Sequence, residues 1–192
     1  MSADAFVHPD EIRSMFSGAM SDMYRAEVPQ YGTLMELVSD INQEKLAADP
    51  VLRDGLVRSD DLDRIDLERH GAIRLGKPEE LFNMRRLFAV MGMHPVGYYD
   101  LSVAGVPVHS TAFRPIDDDA LRRNPFRVFT SLLRLELIED AQLRTEAEAI
   151  LTKREIFTPD ALKLIYLAEK NGGLDRVQAE QFVAEALETF RW

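Results

Sequence analysis

The stretch HGAIRLGKPEELFNMRRLFAVMG, which starts at His70, changes its hydrophobic period once, and this change constrains the fold more than any other feature. Its first residues alternate as in a strand, so every second side chain projects from the same face. One face carries His70, Ala72 and Arg74, and the other carries Gly71, Ile73 and Leu75. Gly76 ends the strand, Pro78 and an apolar stripe predict a helix, and Gly92 ends that helix in a left-handed conformation.

Further apolar and aromatic stretches predict strands after this helix. They are PVGYYDLSV, VPVHSTAFRP and PFRVFTSLLRLELI, and Ala104-Gly105 is predicted to join the first two by a tight hairpin. In the middle strand, Ser110 and Arg114 share one face, whereas His109 lies on the other. The order from Glu68 to about Ile138 is therefore strand, helix, strand, strand, strand.

Helical periodicity flanks these strands on both sides. The N-terminal helices are predicted to start at Pro9 and to run from Thr33 to about Ala47, and the C-terminal ones to span Ala141 to Arg154, Pro159 to Lys170 and Leu174 to Phe190. The acidic stretch 54–68 lacks the glycine and closing glutamate of a calcium-binding EF-hand loop. It is therefore predicted to be a solvated linker.

These patterns predict an α+β fold, with one strand-helix-three-strand module flanked by N- and C-terminal helices. Residues 1–53 are assigned to the N-terminal helical segment, 54–138 to the module and 139–192 to the C-terminal helical segment. The chain ends in an apolar stretch with Phe190 and Trp192, which are both expected to be exposed. Such an end indicates that the polypeptide continues.

Composition excludes several kinds of site. A formal net charge of −10 disfavours nucleic acid, because nucleic-acid binding depends on cations that neutralise phosphates. The absence of cysteine excludes disulfides and thiolate metal sites, so a metal would have to be held by histidine and carboxylates. No apolar run reaches the roughly 20 residues that span a membrane, and the N-terminus lacks a signal-peptide pattern, so the cytoplasm is the predicted location.

The pair His70 and Arg74 suggests a metal ligand beside an anion-binding side chain, but spacing alone leaves a surface or core-edge role open. A salt bridge from Arg74 to Glu68 or to the acidic linker is the structural alternative. His109 is expected to be a hydrogen-bonded histidine near the sheet edge, His94 a loop residue and His8 a helix cap. Ser110 and Arg114 remain without an assigned role.

Four long blocks in the chain resemble one family. They are ERHGAIRLGKPEELFNMRRLF, HPVGYYDLS, VPVHSTAFRP and PFRVFTSLLRLELI. In this order they are similar to the bacterial 2-oxoadipate dioxygenase/decarboxylases, also called 2-hydroxyglutarate synthases. The strand-helix-three-strand order resembles one module of the vicinal oxygen chelate fold, in which two modules curve a sheet around a divalent metal.

The resemblance implies an Fe(II) enzyme of lysine breakdown that converts 2-oxoadipate and O2 to 2-hydroxyglutarate and CO2. The family's first iron-binding histidine falls on His70, and its substrate-binding arginine falls on Arg74. The remaining ligands, one histidine and one glutamate, are expected beyond Trp192. The chain is therefore expected to be an N-terminal portion that is inactive alone.

Two readings from other classes stay open. The chain is alternatively a non-catalytic binding or dimerisation module of the vicinal-oxygen-chelate type, self-associating through an unpaired sheet edge. A glyoxalase-like metal enzyme is the second alternative, and it would turn over without consuming oxygen.

Overall fold

The computed structural model describes residues 6–59, 62, 65 and 70–191. They divide into two compact units, and the boundary between the units lies inside the first helix, between Ser17 and Gly18. The larger unit contains residues 6–17 and 70–191, whereas the smaller unit begins at Gly18 and includes the next two helices.

The helices are α1 Pro9–Glu27, α2 Tyr31–Ala48, α3 Pro50–Arg58, α4 Pro78–Val90, α5 Asp118–Arg123, α6 Ala141–Thr152, α7 Pro159–Asn171 and α8 Arg176–Glu188. The strands are β1 His70–Leu75, β2 His94–Asp100, β3 Val108–Arg114 and β4 Arg127–Leu133. None of the helices in the described part of the chain is long and apolar enough to cross a membrane.

The strands form one sheet in the order β1-β4-β3-β2. β1 runs parallel to β4, whereas β2 and β4 both run antiparallel to β3. The chain therefore leaves β1 through α4, enters the sheet again at the opposite edge and returns to β4 beside β1. This topology confirms the predicted α+β class and the strand-helix-three-strand order.

Helix α4 lies against one face of the sheet and has the predicted bounds. Pro78 is its first residue, where a missing backbone N–H costs nothing. The Glu80 carboxylate accepts a hydrogen bond of 2.7 Å from the backbone N–H of Gly76, which fixes the turn between strand and helix. Just after the helix, Gly92 adopts a φ of +66°, a conformation that L side chains rarely adopt.

A chain of aromatic contacts connects the layers of the larger unit. Phe113 of β3 packs on Phe88 of α4 at 4.9 Å between ring centroids, and Phe88 lies 6.4 Å from Phe190. Phe16 of α1 contacts both Phe190 and Phe126 edge-on. Phe190 is thus only 6% exposed, so its predicted exposure was wrong, because tertiary packing covers an apolar end that local sequence leaves bare.

The C-terminal helices begin at side-chain caps. Thr158 accepts a hydrogen bond from the Ala161 N–H at the start of α7, and Gly172 ends that helix in the left-handed region, as predicted. The last helix starts later than predicted because Asp175, not Leu174, caps it. α7 packs on α4 and α8 packs on α7, so these helices form further layers behind the sheet.

In the smaller unit, α2 agrees with its predicted bounds, but the solvated linker predicted for 54–68 is wrong in its first residues. There α3 starts where Asp49 accepts a hydrogen bond of 3.0 Å from the Leu52 N–H and Pro50 occupies the first turn, and it continues to Arg58. The domain boundary placed before residue 54 therefore falls inside a helix. The linker carboxylates Asp60, Asp61, Asp63 and Asp66 lie outside the described residues.

The predicted tight hairpin at Ala104-Gly105 is also wrong. Residues 101–107 connect β2 to β3 and contain a 3₁₀ helix, Ser102–Ala104, followed by Gly105 at a φ of +78°. The Asp100 carboxylate accepts hydrogen bonds from both the backbone N–H and the hydroxyl of Ser102, which turns the chain out of the strand. β4 likewise ends at Leu133, because a second 3₁₀ helix follows it.

Candidate functional site

The two faces of β1 differ in exposure as the alternation predicted. His70, Ala72 and Arg74 are exposed, whereas Gly71 and Leu75 are buried and Ile73 is half-buried. Helix α4 covers the second face. We refer to the face of the sheet that carries His70, Ala72 and Arg74 as the open face, and to the opposite side as the covered face.

Across the open face, one residue from each strand lies in register with Arg74. Arg74 is paired with Ser131 of β4, Ser131 with Ser110 of β3, and Ser110 with Tyr99 of β2. We call these residues the Arg74 row. The Ser110 and Ser131 hydroxyl oxygens are 3.1 Å apart, so they share a hydrogen bond. The row thus places a guanidinium, two serine hydroxyls and a tyrosine side chain in line across the width of the sheet.

The next row toward His70 consists mainly of small residues. Ala72 is paired with Phe129, Phe129 with Ala112, and Ala112 with Gly97. The Tyr99 hydroxyl lies 3.0 Å from the position that a Gly97 Cβ would occupy, so a side chain there would collide with the phenol. The part of the open face between His70 and Arg74 is therefore apolar, and Phe129 is the large side chain in a row of otherwise small residues.

The backbone of Arg74 is anchored while its side chain remains available. Its carbonyl oxygen accepts a hydrogen bond of 2.9 Å from Arg154, whose guanidinium also lies 3.3 Å from the buried Glu80 carboxylate. Within the described residues, the Arg74 guanidinium is exposed and makes no hydrogen bond or ion pair. The alternative partners, Glu68 and the acidic linker, lie outside the described residues.

The metal-ligand set of the described residues is incomplete. Residues 6–59, 62, 65 and 70–191 contain no group of three His, Asp or Glu side chains that is arranged to hold a metal ion. His70 nevertheless offers an exposed imidazole at one end of the open face. An imidazole is a ligand that divalent transition metals accept, but one imidazole alone does not complete a metal site.

The other histidines have structural contacts. The His109 imidazole Nδ1 lies 2.6 Å from both the Tyr98 hydroxyl and the Arg134 guanidinium, which confirms the prediction of a hydrogen-bonded histidine. His94 was expected in a loop but begins β2, because it pairs with Arg114 of β3. Nδ1 of His8 accepts a hydrogen bond from the backbone of residue 10 at the start of α1, as expected of a cap.

The polar contacts around His109 also affect an acidic neighbour. The pKa of Asp100 lies below its usual value, chiefly because the Ser102 hydroxyl and backbone donate hydrogen bonds to it. His109 and Arg134 lower the pKa of Asp100 further by their charge. His109 pairs with Leu132, which pairs with Leu75, so the His109 side chain projects from the side of the sheet opposite to Arg74. Its contacts stabilise the β2–β3 connection and leave the open face to other residues.

Sequence reasoning missed Ser131 and Arg154. Ser131 stands within the apolar run FTSLL, where its alternation with Phe129 was the available signal. No local pattern identifies Arg154, since it reaches β1 from a segment 80 residues further along the chain. Ser110 and Arg114 share one face of β3, as the strand period predicted, and the strand register places that face on the same side of the sheet as Arg74.

The module is a four-stranded sheet that α4 covers on one face, and His70 and Arg74 are exposed on its open face. A protein of the glyoxalase superfamily from Ralstonia eutropha has this fold, with a TM-score of 0.62 over 98% of this chain and 53% of that chain at 16% identity. At such low identity the likeness shows the fold alone. The vicinal-oxygen-chelate-like module is thereby confirmed.

A family model described as 2-oxoadipate dioxygenase/decarboxylase matches residues 16–192. The chain belongs to this family. It is 62% identical over 192 residues to the 2-oxoadipate dioxygenase/decarboxylase of Pseudomonas putida, which covers 100% of this chain but only 41% of that protein. The corresponding protein of Mycobacterium tuberculosis is 44% identical over 99% of this chain and 46% of its own length.

A solved structure agrees with this assignment. The hydroxyglutarate synthase from Pseudomonas putida in complex with 2-oxoadipate superposes with a TM-score of 0.95 at 62% identity. The match covers 99% of this chain and 42% of that chain. The chain therefore spans less than half the length of the relatives that it matches.

Proposed function

We propose that this chain supplies part of the active site of an Fe(II)-dependent 2-oxoadipate dioxygenase/decarboxylase. The observation that carries the proposal is the placement of His70 and Arg74 on the same exposed face of a sheet whose other face is covered. Family membership supports the reaction, since relatives carry this name and one solved relative holds 2-oxoadipate. Lysine breakdown as the pathway and the cytoplasm as the location belong to the same proposal.

We infer that the chain corresponds to the N-terminal part of a longer enzyme. It covers only 41% of the length of the Pseudomonas putida relative, and its described residues contain no group of three side chains that could hold a metal ion. The other iron ligands, one histidine and one glutamate, are assigned to the remainder. The intact mass of the protein from its natural source tests this inference, because a mass that matches 192 residues would contradict it.

The proposed metal is held at His70. A facial triad of two histidines and one carboxylate leaves coordination positions open for substrate and oxygen, and His70 would be one corner of it. Iron, when bound, supplies the redox chemistry that combines O2 with the 2-oxo acid. The exposed imidazole stands on β1, and strand pairing with β4 fixes the direction in which it projects.

Arg74 is proposed to bind the carboxylate at the far end of the substrate. On a strand, residues four apart lie about 13 Å apart at Cα, and the long arginine side chain shortens the gap. A diacid with its 2-oxo end toward His70 would lie over Ala72 and reach the guanidinium with its other end. Arginine suits this role because its fork of N–H donors binds both oxygens of a carboxylate.

The overall conversion balances without a further reactant: 2-oxoadipate and O2 give 2-hydroxyglutarate and CO2. The contribution of this chain is to orient the diacid along β1. The apolar row that contains Ala72 would keep the CH2 groups of the diacid away from water. The rigid support for Arg74 comes from the hydrogen bond that Arg154 donates to its carbonyl. Preorganisation of this kind keeps substrate and ligands in the reacting geometry.

The test uses the natural-length protein with 2-oxoadipate, following oxygen uptake and 2-hydroxyglutarate formation together. Arg74→Gln is expected to lower kcat/KM about 10- to 100-fold, because hydrogen bonds to a charged group are lost. His70→Ala is expected to abolish turnover and to lower the iron content. The control variants are Arg85→Gln, which changes an exposed arginine on α4, and His94→Gln, which changes the other exposed histidine of the sheet.

Three outcomes separate the functional classes. Oxygen uptake that matches 2-hydroxyglutarate formation and depends on both Arg74 and His70 supports the dioxygenase. Metal-dependent turnover without oxygen uptake would favour the glyoxalase-like alternative. Binding without any turnover in the natural-length protein would favour the non-catalytic module.

A further inference from the structure

The Ser110–Ser131 pair lies directly beside the proposed substrate arginine. Ser131 is in register with Arg74 on one side and with Ser110 on the other, so all three side chains project from the open face. Ser110 is only 5% exposed, whereas Ser131 is half-buried. The pair therefore presents one covered hydroxyl and one accessible hydroxyl next to a guanidinium.

A count of protons shows that this pair has an unused donor. Each serine hydroxyl has one proton, and the bond of 3.1 Å between the two oxygens consumes only one of the two protons. Within the described residues, neither hydroxyl makes another side-chain hydrogen bond. In the part of the chain that the structure describes, one O–H group is thus left without an acceptor, and it lies on the same face as Arg74.

Burial decides which serine keeps the unused proton. An unsatisfied donor costs more free energy in a buried position than in one that solvent reaches. The arrangement of lower free energy therefore has Ser110 donating to Ser131, and Ser131 directing its own proton away from the sheet. The neutral O–H of Ser131 then lies beside the five N–H donors of the charged Arg74 guanidinium.

We propose that Ser131 is a specificity residue that donates a hydrogen bond to the same terminal carboxylate that Arg74 binds, with Ser110 as the positioning residue that orients its hydroxyl. The inference rests on the proposed function of Arg74 and adds a second residue that recognises the terminal carboxylate of the substrate. An arginine alone attracts any anion, whereas a guanidinium with a fixed hydroxyl beside it matches the several lone pairs of one carboxylate. The site thereby favours 2-oxo diacids over 2-oxo monoacids of equal length.

The experiment compares 2-oxoadipate with 2-oxohexanoate, which has a methyl group where the diacid has its terminal carboxylate. In the natural-length protein, Ser131→Ala is expected to raise KM for 2-oxoadipate about 10-fold with little change in kcat, because the contact is the same in ground and transition states. Kinetics with 2-oxohexanoate should not change. Ser110→Ala is expected to produce a smaller rise in KM, since the hydroxyl of Ser131 remains but loses its orientation.

A rescue variant and a control separate binding from folding. Ser131→Thr keeps the hydroxyl and should retain the preference for the diacid. Thr130→Val removes a hydroxyl from the adjacent residue on the covered face, where it bonds the Thr111 carbonyl, and should leave the preference unchanged. Calorimetric titration with adipate, which has both carboxylates but no keto group, should show the same order of affinities without turnover.

Arg74→Gln measured in parallel identifies what has failed. If Arg74→Gln reduces the preference for the diacid and Ser131→Ala does not, the inference about Ser131 is overturned while the proposed function stands. If neither variant changes the preference, or the natural-length protein does not act on 2-oxoadipate, both fail. Equal loss for the diacid and the monoacid in Ser131→Ala would indicate a structural role and would also overturn the inference.

Discussion

The two faces of the same sheet differ in what their side chains contact. On the covered face, Phe113 is 1% exposed and packs on Phe88 of α4. On the open face, Phe129 of the neighbouring strand is 38% exposed and the Arg74 side chain has no polar partner among the described residues. The covered face thus supplies packing energy, whereas the open face keeps reactive groups available.

The difference shows how one strand serves stability and chemistry together. Because successive side chains project to opposite sides, β1 buries Leu75 under α4 while it presents Arg74. Because both faces share one backbone, packing on the covered face also holds the strands that position the side chains of the open face. Substitutions on the two sides should therefore separate effects on folding from effects on ligand binding.

The largest effect is expected for Phe113→Ala. Loss of a fully buried ring leaves a cavity beside Phe88 and should lower the free energy of unfolding by about 3–5 kcal/mol. The matched change on the open face, Phe129→Ala, should cost less, about 1–2 kcal/mol, because that ring is partly exposed. Urea unfolding followed by circular dichroism measures both, and equal losses would contradict the distinction between the faces.

An intermediate effect is expected for Glu80→Gln, at the junction that supports both faces. The Glu80 side chain is buried, accepts hydrogen bonds from Gly76 and Arg154, and has a second oxygen without a partner in the described residues. A glutamine amide would place an unsatisfied donor there and remove the charge, so the loss should be about 1–3 kcal/mol.

The exposed neighbour Glu79 provides the control for that variant. Glu79→Gln should change the free energy of unfolding by no more than about 0.5 kcal/mol, as expected for surface substitutions. If Glu80→Gln is no more destabilising than Glu79→Gln in the same urea titration, the junction is not a stabilising element.

The smallest effect is expected for the partly exposed ion pair between α4 and α7. Arg86 of α4 donates two hydrogen bonds, of 2.7 and 2.8 Å, to the Glu169 carboxylate of α7, and these bonds hold the pKa of Glu169 below its usual value. Because both groups reach solvent, Arg86→Met should cost less than about 1 kcal/mol at neutral pH.

The sign of the pH dependence follows from the lowered pKa. The contribution of this pair is present above the ordinary glutamate pKa of about 4.3 and is lost as the pH falls through the lower folded value. The difference in unfolding free energy between the protein and Arg86→Met should therefore shrink in acid. A difference that stays constant from pH 7 to about pH 3 would show that the lost contact is not ionic.

Much of the fold could be predicted because its signals are local. The alternation of β1, the helix start at Pro78 and the stop at Gly92 are properties of short segments, and the structure confirms all of them. The shared face of His70 and Arg74 follows from the strand period alone. Local signals also include Asp49 and Pro50, whose cap was overlooked and led to the error in α3.

What only the tertiary structure decided depends on residues that are distant in the chain. The pairing of Arg74 with Ser131 joins positions 57 residues apart through a parallel register that no local pattern encodes. Burial of Phe190 likewise depends on Phe16 and Phe88, which reach it from two other helices. The sequence by itself determined which side chains share a face, because backbone geometry sets that period. Packing decided which face is covered, since that depends on where α4 and the later helices come to lie.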